Sequence, residues 1–137
     1  MATWIYEAFE SINSGREGVT ELEHRVTEKM ETLGLQAKYA KVAMTNIVGG
    51  TARAVIYYPD SAISLAPINS ISGWTKGDVN TIADSSDTER FKEEMYQEIK
   101  DLLNSLSEVQ AVQCKISATA YKNGYSTITS WYPSKIS

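Results

Sequence analysis

The sequence predicts an α+β domain. Two helix–β-hairpin units, copies of one design, build an antiparallel sheet of about four strands with the helices on one face, and a short N-terminal helix lies beside them. Three observations carry this expectation. Residues 36–59 (QAKYAKVAMTNIVGGTARAVIYYP) and 110–133 (QAVQCKISATAYKNGYSTITSWYP) align without a gap, 74 positions apart. Seven of the 24 positions are identical: Gln36/Gln110, Ala37/Ala111, Lys41/Lys115, Thr45/Thr119, Gly50/Gly124, Tyr58/Tyr132 and Pro59/Pro133. A helical stripe precedes each copy, with Leu22, Val26, Met30 and Leu33 matching Met95, Ile99, Leu103 and Leu106 at an offset of 73. In each copy stands a turn dipeptide, Gly49-Gly50 or Asn123-Gly124, suited to a two-residue connection with positive φ. A repeat of this kind sets the architecture before local propensity does.

From the N-terminus, Trp4, Ile5, Ala8, Phe9 and Ile12 recur at helical spacing and predict a short helix over 3–13, ended by Gly15. The first unit, 16–59, opens with a capping box at Thr20-Glu21-Leu22-Glu23 or at Ser14-Gly15-Arg16-Glu17. Its helix continues through the stripe Val19, Leu22, Val26, Met30 and Leu33 and stops at Gly34. Residues 60–85 form a long connection with no clear period. Ile63, Leu65, Ile68, Ile71, Trp74, Val79 and Ile82 are too many apolar groups to leave in water. Its Ser72–Asp78 segment is either scaffold along an edge strand or a loop that closes over a ligand. The second unit, 86–133, caps at Ser86-Asp87-Thr88-Glu89 and carries the stripe Phe91, Met95, Ile99, Leu102, Leu103 and Leu106.

With two-residue turns, Lys41 faces Tyr58 and Lys115 faces Tyr132 directly across the strands. The predicted core face then holds Val42, Met44, Val55 and Tyr57, with Val112, Cys114, Ile116, Ala118 and Trp131 in the second unit. The opposite face holds the two Lys/Tyr pairs with Ala43, Thr45, Ala54, Ile56, Ser117, Thr119, Ile128 and Ser130. A repeated Lys/Tyr pair is either a structural cross-strand contact, the lysine stem covering the ring, or a binding surface.

The composition bounds the function. One domain spans 1–137, with 42% apolar and 22% charged residues. A net charge of −4 argues against a nucleic-acid polymer or an anionic membrane as partner. A single cysteine forms no intrachain disulfide, and the N-terminus has neither a basic n-region nor a long apolar run, so a cytoplasmic protein is expected. His24 is the only histidine, and one His with one Cys does not supply a zinc or iron site. No P-loop, GxSxG or GxGxxG motif is present. The expectation is therefore no enzyme, no cofactor and no metal.

Eleven tyrosines and tryptophans, set among Lys41, Arg53, Lys115 and Lys122, offer rings for a base and cations for a phosphate. The expected ligand-binding residues are Lys41, Tyr58, Lys115, Tyr132, Arg53, Trp74 and Lys76. The leading expectation is a non-catalytic binding protein for a small anionic, nucleotide-like ligand, a sensor or sequestering protein of the kind phages and mobile elements carry. The alternative is a protein-interaction module or inhibitor that uses the acidic helix faces, and the third is a small enzyme of carboxylates and tyrosines. Unpaired sheet edges favour a homo-oligomer.

Overall fold

In the computed structural model the chain runs β1 (Trp4–Ser14), α1 (Gly15–Leu33), a 3-10 helix (Gly34–Tyr39), β2 (Lys41–Asn46), β3 (Thr51–Pro59), β4 (Ile71–Lys76), β5 (Thr81–Ala83), α2 (Thr88–Ser105), α3 (Glu108–Gln113), β6 (Lys115–Ala120) and β7 (Tyr125–Ile136). The structure describes residues 2–46, 51–77, 81–83, 88–120 and 125–137. The Gly49-Gly50 and Asn123-Gly124 turns, the capping residues Ser86 and Asp87, and Lys122 lie outside the described residues.

The N-terminal segment is a strand, which corrects the helix predicted over 3–13. β1 pairs antiparallel with β3, from Trp4↔Pro59 to Glu10↔Arg53. Its sequence misleads because both of its faces are covered: Trp4 and Tyr6 belong to one core, Phe9 to another. A strand buried on both sides loses its alternation, and its apolar spacing then imitates a helix. Beyond Glu10 the register shifts. There the Ala52 N–H donates to Ser11 Oγ at 2.8 Å, and the Ile12 N–H donates to the Glu21 carboxylate at 2.8 Å. That bond does most to hold the Glu21 carboxyl below its usual pKa.

Helix α1 starts at the earlier of its two expected sites, although the Ser14 side chain makes no cap bond, and Gly34 ends it at φ 61°. Leu22 and Val26 press onto Ala52 and Ala54 of β3, flanked by Phe9, Val42 and Met44. The predicted hairpins begin too early. Gln36 and Ala37 lie in the 3-10 helix, and Gln110 and Ala111 lie in α3. A complete capping box forms α3, with the Gln110 N–H donating to Ser107 Oγ and the Ser107 N–H to the Gln110 side chain.

Two antiparallel sheets replace the single predicted one. The first has the order β1-β3-β2. In the second, β6 pairs with residues 126–131 of β7, while β4 pairs with 131–136 and β5 with 125–127. β4 and β5 therefore lie end to end along the other edge of β7. Each hairpin takes its outer strand from the segment ahead of its own helix, so neither needs the other hairpin. The 60–85 connection supplies β4 and β5, so its Trp74 segment is an edge strand rather than a free loop.

The helices are not confined to one face either. α1 covers the first sheet from outside. On the opposite face Trp4, Ala43, Val55 and Tyr57 share one core with Met95, Tyr96, Ile99 and Leu103 of α2, with Cys114 at the end of α3, and with Ile116, Ala118 and Ile128 of the second sheet. α2 packs against β1 and β5, which closes this core between the sheets. Cys114 is buried there, and burial raises its thiol pKa. Thiol reagents should therefore label native protein at least tenfold more slowly than urea-unfolded protein; fast native labelling would contradict this packing.

Both hairpins share one register, offset by 74. Lys41 pairs with Tyr57 and Val42 with Ile56; correspondingly, Lys115 pairs with Trp131 and Ile116 with Ser130. This moves every partner by one residue from the two-residue-turn expectation and splits the Lys41/Tyr58 and Lys115/Tyr132 pairs onto opposite faces. Ile128 and Ser130, expected outside, are buried, and Trp131, expected in the core, is 40% exposed.

Candidate functional site

The expected site residues separate. Tyr58 faces α1, where the Lys29 ammonium lies 4.9 Å from its ring and pairs with Glu7 at 2.8 Å. The Glu7 bond is the main reason that the Lys29 pKa is raised. Arg53 is buried in the middle of β3, between Glu10 and Thr45 in the ladders. Tyr132 is half-buried against the shared core.

Lys41 and Lys115 do meet, in a cleft of ≈ 430 Å³ between β2 and β6. Its lining is residues 38–42 from one side and 112–116 from the other, the same five positions of the two aligned segments. Three lysines, Lys38, Lys41 and Lys115, line it, and no acidic residue does. The Lys41 ammonium donates to the carbonyl of Val112 at 3.0 Å and to that of Cys114, and lies 5.3 Å from the Trp4 ring. Those carbonyls stand at the C-terminal end of α3, where the helix leaves acceptors unpaired. Burial pushes the Lys41 pKa down to about 8. Lys41 is therefore as much a joint between the sheets as a ligand group, whereas Lys38 and Lys115 are exposed. Lys38 lies 5.5 Å from the Tyr39 ring.

Trp74 and Lys76 belong to a second surface, which begins at the rim of this cleft. On the outward face of the second sheet, Lys76, Trp131 and Lys115 form one row across β4, β7 and β6. Trp74 stands opposite Pro133, and Ser72 opposite Lys135. Trp74 is 47% exposed and the three lysines are all exposed. Sequence reading missed Lys38, Tyr39, Trp131 and Lys135. One signal was available: residues 109–137 contain lysines but no Asp or Glu, although the whole chain is acidic.

Among the described residues, no group of three or more His, Cys, Asp or Glu comes together, and no helix is long and apolar enough to cross a membrane. Comparison with known proteins finds no matching family model, and no curated protein or solved structure matches the chain.

Proposed function

We propose that the protein is a non-catalytic binding protein that holds a small anionic, nucleotide-like ligand in the cleft between β2 and β6. The carrying observation is that three lysines line one cleft of an acidic protein with no carboxylate among them. Lys38 and Lys115 meet the phosphate, and charge-assisted bonds of this kind are among the stronger ones a protein makes. Tyr39, in the lining, and Trp131, across the strand from Lys115, offer ring faces to a base. Lys41 contributes positive potential while its ammonium stays on the α3 carbonyls.

The reading extends to the origin of the site: the halves are copies of one strand–helix–hairpin unit, and the cleft forms where equivalent positions meet. Three features support this: the shared hairpin register, the order of elements in each half, and a tryptophan on each outer strand opposite the matching proline, Trp4↔Pro59 and Trp74↔Pro133.

A thermal-shift titration with ATP, AMP, cyclic dinucleotides and inorganic phosphate tests the function. At least one nucleotide should raise the melting temperature by mass action. Lys38→Ala/Lys115→Ala should melt like the wild type and bind that nucleotide at least tenfold more weakly, since each charge-assisted bond contributes roughly 1.5–3 kcal/mol. No response from the wild type to any of these probes, or an equal response from both proteins, would refute the proposal.

A further inference from the structure

The two faces built to the same pattern differ in one respect: the inner face of the first sheet is covered and the outward face of the second is not. On the first, three positions anchor the next unit's helices. The Trp4 N–H donates to Asn104 Oδ1 at 2.7 Å, and the Asn104 amide donates back to the Trp4 carbonyl at 3.0 Å. The Tyr57 hydroxyl donates to the Tyr96 carbonyl at 3.0 Å. Lys41 donates to the carbonyls of Val112 and Cys114. The register assigns the counterparts on the second sheet: Trp74 opposite Pro133 as Trp4 is opposite Pro59, and Lys115 opposite Trp131 as Lys41 is opposite Tyr57. Here Trp74, Lys115 and Trp131 are exposed, and of the four only Pro133 is buried.

The chain also carries the piece that belongs on such a face. At the offset of 73 between the helices, Tyr96 and Asn104 correspond to Glu23 and Glu31 of α1. Both glutamates are exposed, because α1 turns its Leu22 and Val26 side to the first sheet. Just beyond α1, Leu35 is 90% exposed. The charges are complementary: Lys76, Lys115 and Lys135 on the sheet, Glu23, Glu28 and Glu31 on the helix. Opposite potentials steer such surfaces together and set their register, and exposed tryptophans are characteristic of association surfaces.

We propose that the outward face of the second sheet binds α1 and the following 3-10 helix of a second copy of this chain. The contact is head-to-tail and repeats the internal packing of α2–α3 on the first sheet. Lys115 then meets the carbonyl end of the neighbour's 3-10 helix, as Lys41 meets that of α3. A heterologous contact of this kind closes into a ring or continues as a filament. The proposal rests on the correspondence of the two halves, and the contact shares Lys115 and the 3-10 helix, with its Lys38 and Tyr39, with the ligand cleft.

Light scattering on a sizing column tests it with two charge-reversed variants. In both, all three cleft lysines are unchanged, so a loss of assembly is distinguishable from a loss of ligand binding. Wild type at several hundred micromolar should show a mass above the 15.2 kDa monomer, falling with dilution and with salt. Lys76→Glu/Lys135→Glu and Glu23→Lys/Glu31→Lys should each remain monomeric at that concentration. Mixed one to one, they should associate, because an intact sheet face then meets an intact α1 and a charge-reversed face meets a charge-reversed α1. The proposal is overturned by a monomeric wild type, by undiminished assembly of either variant, or by an inert mixture. A short single-stranded oligonucleotide serves as the competing probe: retention by wild type that disappears in Lys76→Glu/Lys135→Glu, without self-association, would assign this face to nucleic acid instead.

Discussion

Replacing Tyr57 with alanine should destabilise the protein by about 4 kcal/mol, the cost typical of deleting a large aromatic side chain from a packed core. Tyr57 is 0% exposed, its ring centroid lies 5.7 Å from that of Tyr6, and its hydroxyl donates to the Tyr96 carbonyl. With the paired hydrogen bonds between Trp4 and Asn104, it joins the first sheet to α2. Burial drives its phenol pKa far upward, so it enters the core neutral. A domain of this size has roughly 5–15 kcal/mol of stability in total, so the variant should unfold at much lower urea and show a large unfolded fraction on warming. Tyr57→Phe keeps the ring and loses one hydrogen bond, which costs about 1 kcal/mol. Urea denaturation of the three proteins checks both values. A Tyr57→Ala loss below 1 kcal/mol would mean that the shared core does not hold the sheets together.

Lys41 should leave its mark on stability as a function of pH. Its folded pKa of about 8 lies below the ordinary 10.5. Between these values the unfolded chain binds more protons at this site than the folded one, so this group's contribution to stability rises as pH rises from 8 to 10.5. At neutral pH both states are protonated, and burying the ammonium carries its full cost. Two other groups act in the opposite sense. Cys114 and Tyr57 are held protonated by burial, so the unfolded state gains as pH passes their ordinary values of 9.0 and 10.0. The informative quantity is therefore the gap between wild type and Lys41→Met. It should move in favour of the wild type by about 2 kcal/mol between pH 7.5 and 10.5, somewhat less than the unscreened shift implies because the side chain is partly solvated. Parallel pH curves for the two proteins would show that the ammonium is not desolvated. Contrary to the expectation of two surface lysines, Lys41→Ala should also cost stability, since it strips the Val112 and Cys114 carbonyls of their donor. Lys115→Ala should not.

What the chain's own pattern determined is local and periodic. Both long helices, their buried stripes at Leu22 and Val26 and at Met95, Ile99 and Leu103, the stop at Gly34 and the burial of Cys114 follow from spacing and glycine chemistry within a few residues. The equal registers of the two hairpins were legible in the same way, because aligned positions keep their offset of 74 wherever the pairing falls. Tertiary structure alone decided the rest. Whether Lys41 faces Tyr57 or Tyr58 turns on one residue of connection length, and that slip exchanges the faces of every side chain in the strand. Whether Trp4 to Ile12 is helix or strand depends on what covers it: Trp4 and Tyr6 pack into one core and Phe9 into another, while Ile12 stays 89% exposed. The same lysine and aromatic positions became a buried joint in the first sheet and an open surface in the second. The reason is physical: α2 occupies the inner face of the first sheet, while among the described residues no helix covers the outward face of the second.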